Sequence, residues 1–243
     1  MQLSHRMEID ATNKRVLIIG DTHIPYSHID YINFLKALKD HFKPQLVIHI
    51  GDELDYHAIS FHDSDQELLS AGNELDRSII EIQEGLYKLF PEMHLLESNH
   101  GSLVTRKMKS NGIPIRVLKP LHELYETPKW KWHHEIILKT NTGDVYLCHG
   151  KSGVYGKMPK EMGMSTIQGH FHGKAEVTWH RTATRDNFNM LVGCLVDEDS
   201  MAMAYGRNNL PKPILASGVL DDTGSPYVVR MKLNDKKRWT GVL

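Results

Sequence analysis

The stretch "RVLIIGD", Arg15 to Asp21, decides the fold. It is a continuous apolar run ending in Gly-Asp, the pattern of a strand covered on both faces that delivers a carboxylate at its C-terminal tip. "QLVIHIGD", Gln45 to Asp52, repeats the pattern, and between the two Ile32, Leu35, Leu38 and Phe42 keep helical spacing. Strand, helix and strand in that order make a parallel pair, because a chain returning through a helix re-enters the sheet in the same direction. A second helix is expected from Leu68, Leu75, Ile79, Ile82, Leu86 and Leu89. Pro91 ends it ahead of the strand "MHLLES", just past which come Asn99 and His100.

Beyond Gly101 the texture changes. "EIILKT", "DVYLCHG", "STIQGHFHG", "AEVTWH", "NMLVGCLV", "PILASG" and "PYVVRMKL" are short strand-forming runs between turn residues, and "NTGD" (Asn141 to Asp144) suits a hairpin turn. Helix-alternating strands followed by a strand-rich half predict an α/β fold, two mixed β-sheets packed as a sandwich and flanked by helices. No repeat or linker divides the chain, so residues 1–243 are expected to form a single domain. Lysine plus arginine (29) nearly cancel aspartate plus glutamate (30), so no global field selects polyanions or membranes. Cys148 and Cys194 both sit in apolar segments, which argues against a disulfide framework and suits a reducing compartment. With no apolar leader and no membrane-spanning run, a cytoplasmic protein is expected.

Histidine is the outlier of the composition, at 16 residues. Asp21 and His23 come from "GDTH", Asp52 and Asp55 from "GDELD", Asn99 and His100 from "SNHG", His149 from "CHG", and His170 and His172 from "GHFHG". Singly each is an ordinary turn or core residue; together they sit at successive strand tips, where α/β sheets gather ligands. Strand alternation would put Asp21 beside His23, and His170 beside His172. Carboxylate, imidazole and amide donors in this mixture suit Mn, Fe or Zn better than a cysteine-built structural zinc, and there are enough for two ions.

The order Asp-x-His, Gly-Asp-x-x-Asp, Asn-His, His, Gly-His-x-His resembles the calcineurin-like metallophosphoesterase superfamily, from Gly20 to Gly173. The resemblance implies a two-sheet sandwich flanked by helices and two divalent metal ions, Mn first with Fe, Zn, Ni or Mg as alternatives, bridged by one aspartate and a water or hydroxide. By motif it implies Asp21, His23 and His172 on one metal, Asn99, His149 and His170 on the other, and Asp52 between them. Two ions roughly 3.5–4 Å apart ionise the bridging water and clamp the phosphoryl oxygens of an in-line displacement. His100 would protonate the leaving oxygen or steady the phosphate, and Asp55 would orient it. The implied activity is phosphoester hydrolysis by a metal-bridged hydroxide.

The chain departs from that pattern in places. Gly101 stands where the family usually has an acidic residue, Ser98 where it usually has glycine, and Tyr56 where its protein phosphatases carry arginine. Loss of that arginine removes a clamp suited to a dianionic monoester. Phosphodiesters of nucleotides or nucleic acid are therefore expected ahead of nucleotide or protein phosphomonoesters. The remaining alternative is a non-catalytic metal-binding interaction module, which has no need of His100 and Asp55. Arg106 is the candidate to replace the missing clamp, against a solvated helix face.

The texture of "GDELDYHAISFHDSD" is similar to small members encoded by bacteriophages, which points towards nuclease chemistry in a host cytoplasm. His57 and His62 would then line the cleft, with Trp130, Trp132, His133 and His134, the tryptophans stacking on bases. For "WKWHH" an edge strand with aromatics on one face ranks slightly ahead of that role. Met158, Met162 and Met164 suit either a lid or core filler, and "NDKKRW" suits a solvated tail. "HGKS" lacks the glycine that a phosphate-binding P-loop needs at Val145.

Overall fold

The computed structural model describes residues 6–60, 68–151, 157–200 and 212–243. One six-stranded sheet has the order β12-β11-β2-β3-β4-β5 and the other β1-β6-β7-β8-β10-β9. In the first, β2 (Val16–Ile19), β3 (Leu46–His49), β4 (Met93–Leu96) and β5 (Trp130–His133) run parallel, and β11 (Ala216–Leu220) and β12 (Pro226–Arg230) close it antiparallel. In the second, β1 (Met7–Asp10), β6 (Ile136–Thr140), β7 (Gly143–Cys148), β8 (Ser165–Gln168), β9 (Ala175–Arg181) and β10 (Asp186–Val192) mix both senses. This is the α/β sandwich of two mixed sheets that the sequence predicts. The edge strand β1 is an addition, because four residues of alternating burial carry too short a period to register as a strand.

Alternation along β2 explains the layers. Leu17 and Ile19 point to the helices, where they pack with Phe34, Leu35 and Leu38 of α1 (Tyr31–Phe42) and with Ile82 and Leu86. The last two belong to a π-turn (Ile82–Tyr87) that extends α2 (Ala71–Glu81). Val16 and Ile18 point the other way, into the inter-sheet core formed with Ile48, Leu138, Leu147, Ile167 and Met190. Fully burying one such side chain contributes about 1.5–3 kcal/mol, so a polar residue at any of these positions breaks a layer.

"WKWHH" lies on the edge strand β5 with both tryptophans buried, and the Trp130 indole N–H donates to the Phe90 carbonyl at 2.9 Å. Met158 of the helix Lys157–Met162, with Met162 and Met164, packs on Ile137 and Tyr146, so these methionines fill a core. The "NDKKRW" segment is not a free tail: the Arg238 guanidinium forks onto Asp30 (2.6 and 2.5 Å), ahead of α1, and holds that carboxyl down at about 2. Cys148 and Cys194 are buried free thiols. Among the described residues no helix is long and apolar enough to cross a membrane.

Candidate metal centre

The expected donors converge, but by loop conformation and not by strand alternation. β2 ends at Ile19 and β8 at Gln168, so Asp21, His23, His170 and His172 lie in the loops beyond. His23 (φ 49°), Asp52 (φ 50°) and His170 (φ 67°) adopt the left-handed conformation that non-glycine residues avoid, and it is this that folds each loop back over the strand ends. Main-chain bonds hang the first loop on the second. The Thr22 and His23 amides donate to the Asp52 carbonyl (3.1 and 2.9 Å), the Ile24 amide to that of Glu53 (2.9 Å), and Asp55 returns its amide to Ile24 (3.1 Å). Gly169 lets the β8 exit pass above: a Cβ there would stand 2.4 Å from Asp21 Oδ1 and 2.5 Å from Ile50.

Asp52 lies at the middle. Its Oδ2 is 3.5 Å from His23 Nε2 and 3.0 Å from His149 Nε2. On one side, Asp21 Oδ2 is 3.1 Å from His172 Nε2, which is 3.2 Å from His23 Nε2. On the other, Asn99 Oδ1 is 2.7 Å from His149 Nε2 and 3.0 Å from His170 Nδ1. Donor atoms of Asp21, His23, Asp52 and His172 all lie within 4.8 Å of one another, as do those of Asp52, His149 and His170, and Asp52 belongs to both groups. Asp21 Oδ1 is buried without a hydrogen-bond partner. A buried, unpaired carboxylate oxygen facing imidazoles is what a cation would satisfy, and the donor set fits a divalent ion of borderline type.

The outward nitrogens set the tautomers. His149 Nδ1 donates to the Ile50 carbonyl at 3.1 Å and His23 Nδ1 bonds Asp55 Oδ1 at 2.5 Å, which leaves both Nε2 atoms aimed at Asp52. His100 stands at the edge of the cluster, its amide donating to Asp52 Oδ1 at 3.0 Å. Its Nδ1 donates to the main-chain carbonyl of Asp55, with the Asp55 carboxylate 3.6 Å away. Asp55 thus orients His100 through its backbone and gives its carboxylate to His23, a division that motif spacing does not reveal.

The other candidates scatter. Arg106, on α3 (Leu103–Ser110), donates to the Asn99 carbonyl at 2.7 Å and lines a cavity of about 560 Å³ together with His149, Lys151 and His170. His57 is buried behind Asp55, its Nδ1 3.8 Å from Asp55 Oδ2, so it does not serve as a cleft wall. His62 lies outside the described residues. His133 is buried and stacks on His94, while His134 pairs with Glu97 at the cavity. Sequence reasoning missed Glu53, a fully buried carboxyl between the two motif aspartates; its only signal is a glutamate inside a loop flanked by core strands.

Burial opposes charge throughout the cluster, and the winner differs from group to group. It would push the Asp21 and Asp52 carboxyls up, yet His149 beside both, with His172 at Asp21 and His23 at Asp52, holds them below the ordinary range, Asp52 well below. Burial would likewise lower His149, but Asp52 and Asp21 raise it to about 9. His23, where burial dominates over the bond to Asp55, is lowered.

Fold and cluster together define a class: an α/β sandwich that gathers imidazoles, carboxylates and an amide at the C-terminal ends of its strands. No family model and no curated protein matches the chain. Among solved structures, it is similar to an archaeal phosphodiesterase, at 16% identity over 89% of this chain and 99% of that one, with a TM-score of 0.48. Vps29 of Chaetomium thermophilum is 11% identical over 93% of this chain and 92% of its own, TM-score 0.47. YfcE, a phosphoesterase from E. coli, is 12% identical over 90% and 100%, TM-score 0.38.

Proposed function

We propose that this chain is a single-domain calcineurin-like metallophosphoesterase that hydrolyses phosphoesters with two divalent metal ions, nucleotide or nucleic-acid diesters ahead of monoesters. The observation that carries the reading is the Asp52 carboxylate, shared by two donor groups and flanked by His23 at 3.5 Å and His149 at 3.0 Å. Asp21, His23 and His172 would hold one ion, Asn99, His149 and His170 the other, with Asp52 between. Mn is the first candidate. Bound ions supply Lewis-acid polarisation of the phosphoryl oxygens and an ionised water.

The chain's own residues do the rest. His100, its Nδ1 committed to the Asp55 carbonyl, keeps Nε2 for the leaving oxygen. Arg106 holds the Asn99 main chain and carries positive charge to the cavity wall for a phosphate, beside a Lys151 that is itself paired with Glu135. Tyr56, at the position of the absent arginine, turns its hydroxyl into the core against that of Tyr125 at 2.7 Å, so no second clamp comes from there. That supports diesters, which carry one negative charge fewer to neutralise.

The test is Mn(II)-dependent hydrolysis of bis(p-nitrophenyl) phosphate beside p-nitrophenyl phosphate, with Asp52→Asn as control. Diester turnover ahead of monoester, lost in the control, is expected. A preference for the monoester overturns the diester part, and turnover of neither ester with two Mn bound overturns the enzyme.

A further inference from the structure

A second cavity, of about 210 Å³, opens behind Gly101 between α3, the segment 115–124 and β5. It adjoins the metal-side cavity, since Glu97 and His134 line both. Val104, Ile115, Leu118, Leu121 and Leu124 form walls that are only half buried, which is unusual for aliphatic side chains clustered in a concavity. Trp132 adds an aromatic face. At its base lies Glu53, 1% exposed: Oε1 accepts the Trp132 indole N–H at 3.0 Å, and Oε2 has no partner. Gly101 leaves room at the approach, where a Cβ would press on Ser98 Oγ at 3.0 Å and lie 3.9 Å from Glu53 Oε1. Exposed Lys109 and Lys119 stand at the mouth.

In its ionised form, an unpaired, buried carboxyl oxygen inside apolar walls asks for a hydrogen-bond donor. The two lysines disfavour a cationic donor and suit one attached to phosphate. The volume is below the roughly 300–1,000 Å³ of pockets for drug-sized ligands, so one ring system enters and not a whole nucleotide. We infer that this cavity binds the amino-bearing nucleobase of a nucleotide or polynucleotide, with Glu53 Oε2 accepting from the base's amino or ring N–H. Naming a nucleotide rests on the phosphoesterase reading; base binding itself does not. Uracil fits poorly, because its ring N–H lies between two carbonyls that apolar walls would leave unpaired.

The experiment is calorimetric titration of the Mn-loaded full chain with adenosine, guanosine, cytidine and uridine, repeated on Glu53→Gln. An amino-bearing nucleoside should saturate at least about tenfold tighter than uridine. Glu53→Gln puts a donor where the acceptor stood, so it should weaken that nucleoside about tenfold and move preference towards uridine, a reversal that loss of structure does not produce. Should that variant fail to fold, Leu121→Trp fills the cavity from its half-buried wall and should abolish binding. Saturation by no nucleoside, or unchanged affinities in a folded variant, overturns the inference. Hydrolysis of bis(p-nitrophenyl) phosphate by the same wild-type sample separates the two readings. Turnover without nucleoside binding sinks the pocket alone, while Glu53-dependent binding without turnover upholds the pocket and sinks the phosphoesterase.

Discussion

Loading the centre with metal should release protons, in a number set by His149. In the metal-free protein this imidazole is held at about 9 by the Asp52 and Asp21 carboxylates, so at pH 7 it carries a proton on the Nε2 that faces Asp52 at 3.0 Å. An ion that takes Nε2 must displace that proton. Two pH units below the pKa, at about 1.36 kcal/mol per unit, make roughly 2.7 kcal/mol, or about a hundredfold loss of apparent affinity at pH 7 relative to the deprotonated site. Affinity for Mn(II) should therefore rise at least about tenfold per pH unit between pH 6 and 8. His172, also raised by Asp21, competes in the same direction, whereas Asp21 and Asp52 are already ionised and add none. Titration calorimetry in buffers of different ionisation enthalpy counts the protons directly. Release of about one or more as the His149 site fills is expected at pH 7. A count near zero with flat affinity from pH 6 to 8 would refute the placement of a metal on His149.

The remaining predictions concern acid, fit and stability. His100→Ala should keep its Mn and lose about 10²–10⁴-fold in turnover of diesters with poor leaving groups, and an unchanged rate on such a substrate would sink the acid role. Gly169→Ala should cost about 1–3 kcal/mol of overpacking against Asp21 Oδ1 and Ile50, read as a lower melting temperature together with weaker Mn binding. In EDTA, the stability that His149 contributes is fully present below its unfolded value near 6.5 and is lost as pH rises through about 9. The urea midpoint of the metal-free protein should fall across that window, and a midpoint that rises there contradicts the sign.

Much of the fold was legible because the central strands are buried on both faces. Val16–Ile19 and Leu46–His49 announce themselves as apolar runs, and Leu35 and Leu38 mark α1 by period. The donors were legible as residue types at strand ends. How they meet was not. Alternation argues from extended backbone, and His23, Asp52 and His170 leave it for the left-handed region under tertiary bonds that have no local code. The two partners of Asp55 were hidden for the same reason: spacing places a residue, but does not say whether its carboxylate or its carbonyl meets the neighbouring imidazole. Glu53 was invisible because the segment that walls its cavity, 115–124, shows no periodic signal of its own.

Those left-handed residues also bear on what a ligand deletion would mean. Each costs about 1–3 kcal/mol and persists only where the surroundings over-determine it. Here the carboxylates supply part of that determination: Asp21 Oδ2 accepts the His170 amide at 2.8 Å, and Asp52 Oδ1 accepts the His100 amide at 3.0 Å. The Asp52 carbonyl meanwhile takes the amides of Thr22 and His23. A donor oxygen on one loop thus fixes the backbone of a donor or acid on another. Asp21→Ala would release His170 from a conformation it does not favour, besides removing a ligand, and so displace a donor assigned to the second group. Asn, which keeps an acceptor for that amide, is the substitution that isolates the charge. The two halves of the centre are coupled through main-chain hydrogen bonds before any ion is bound.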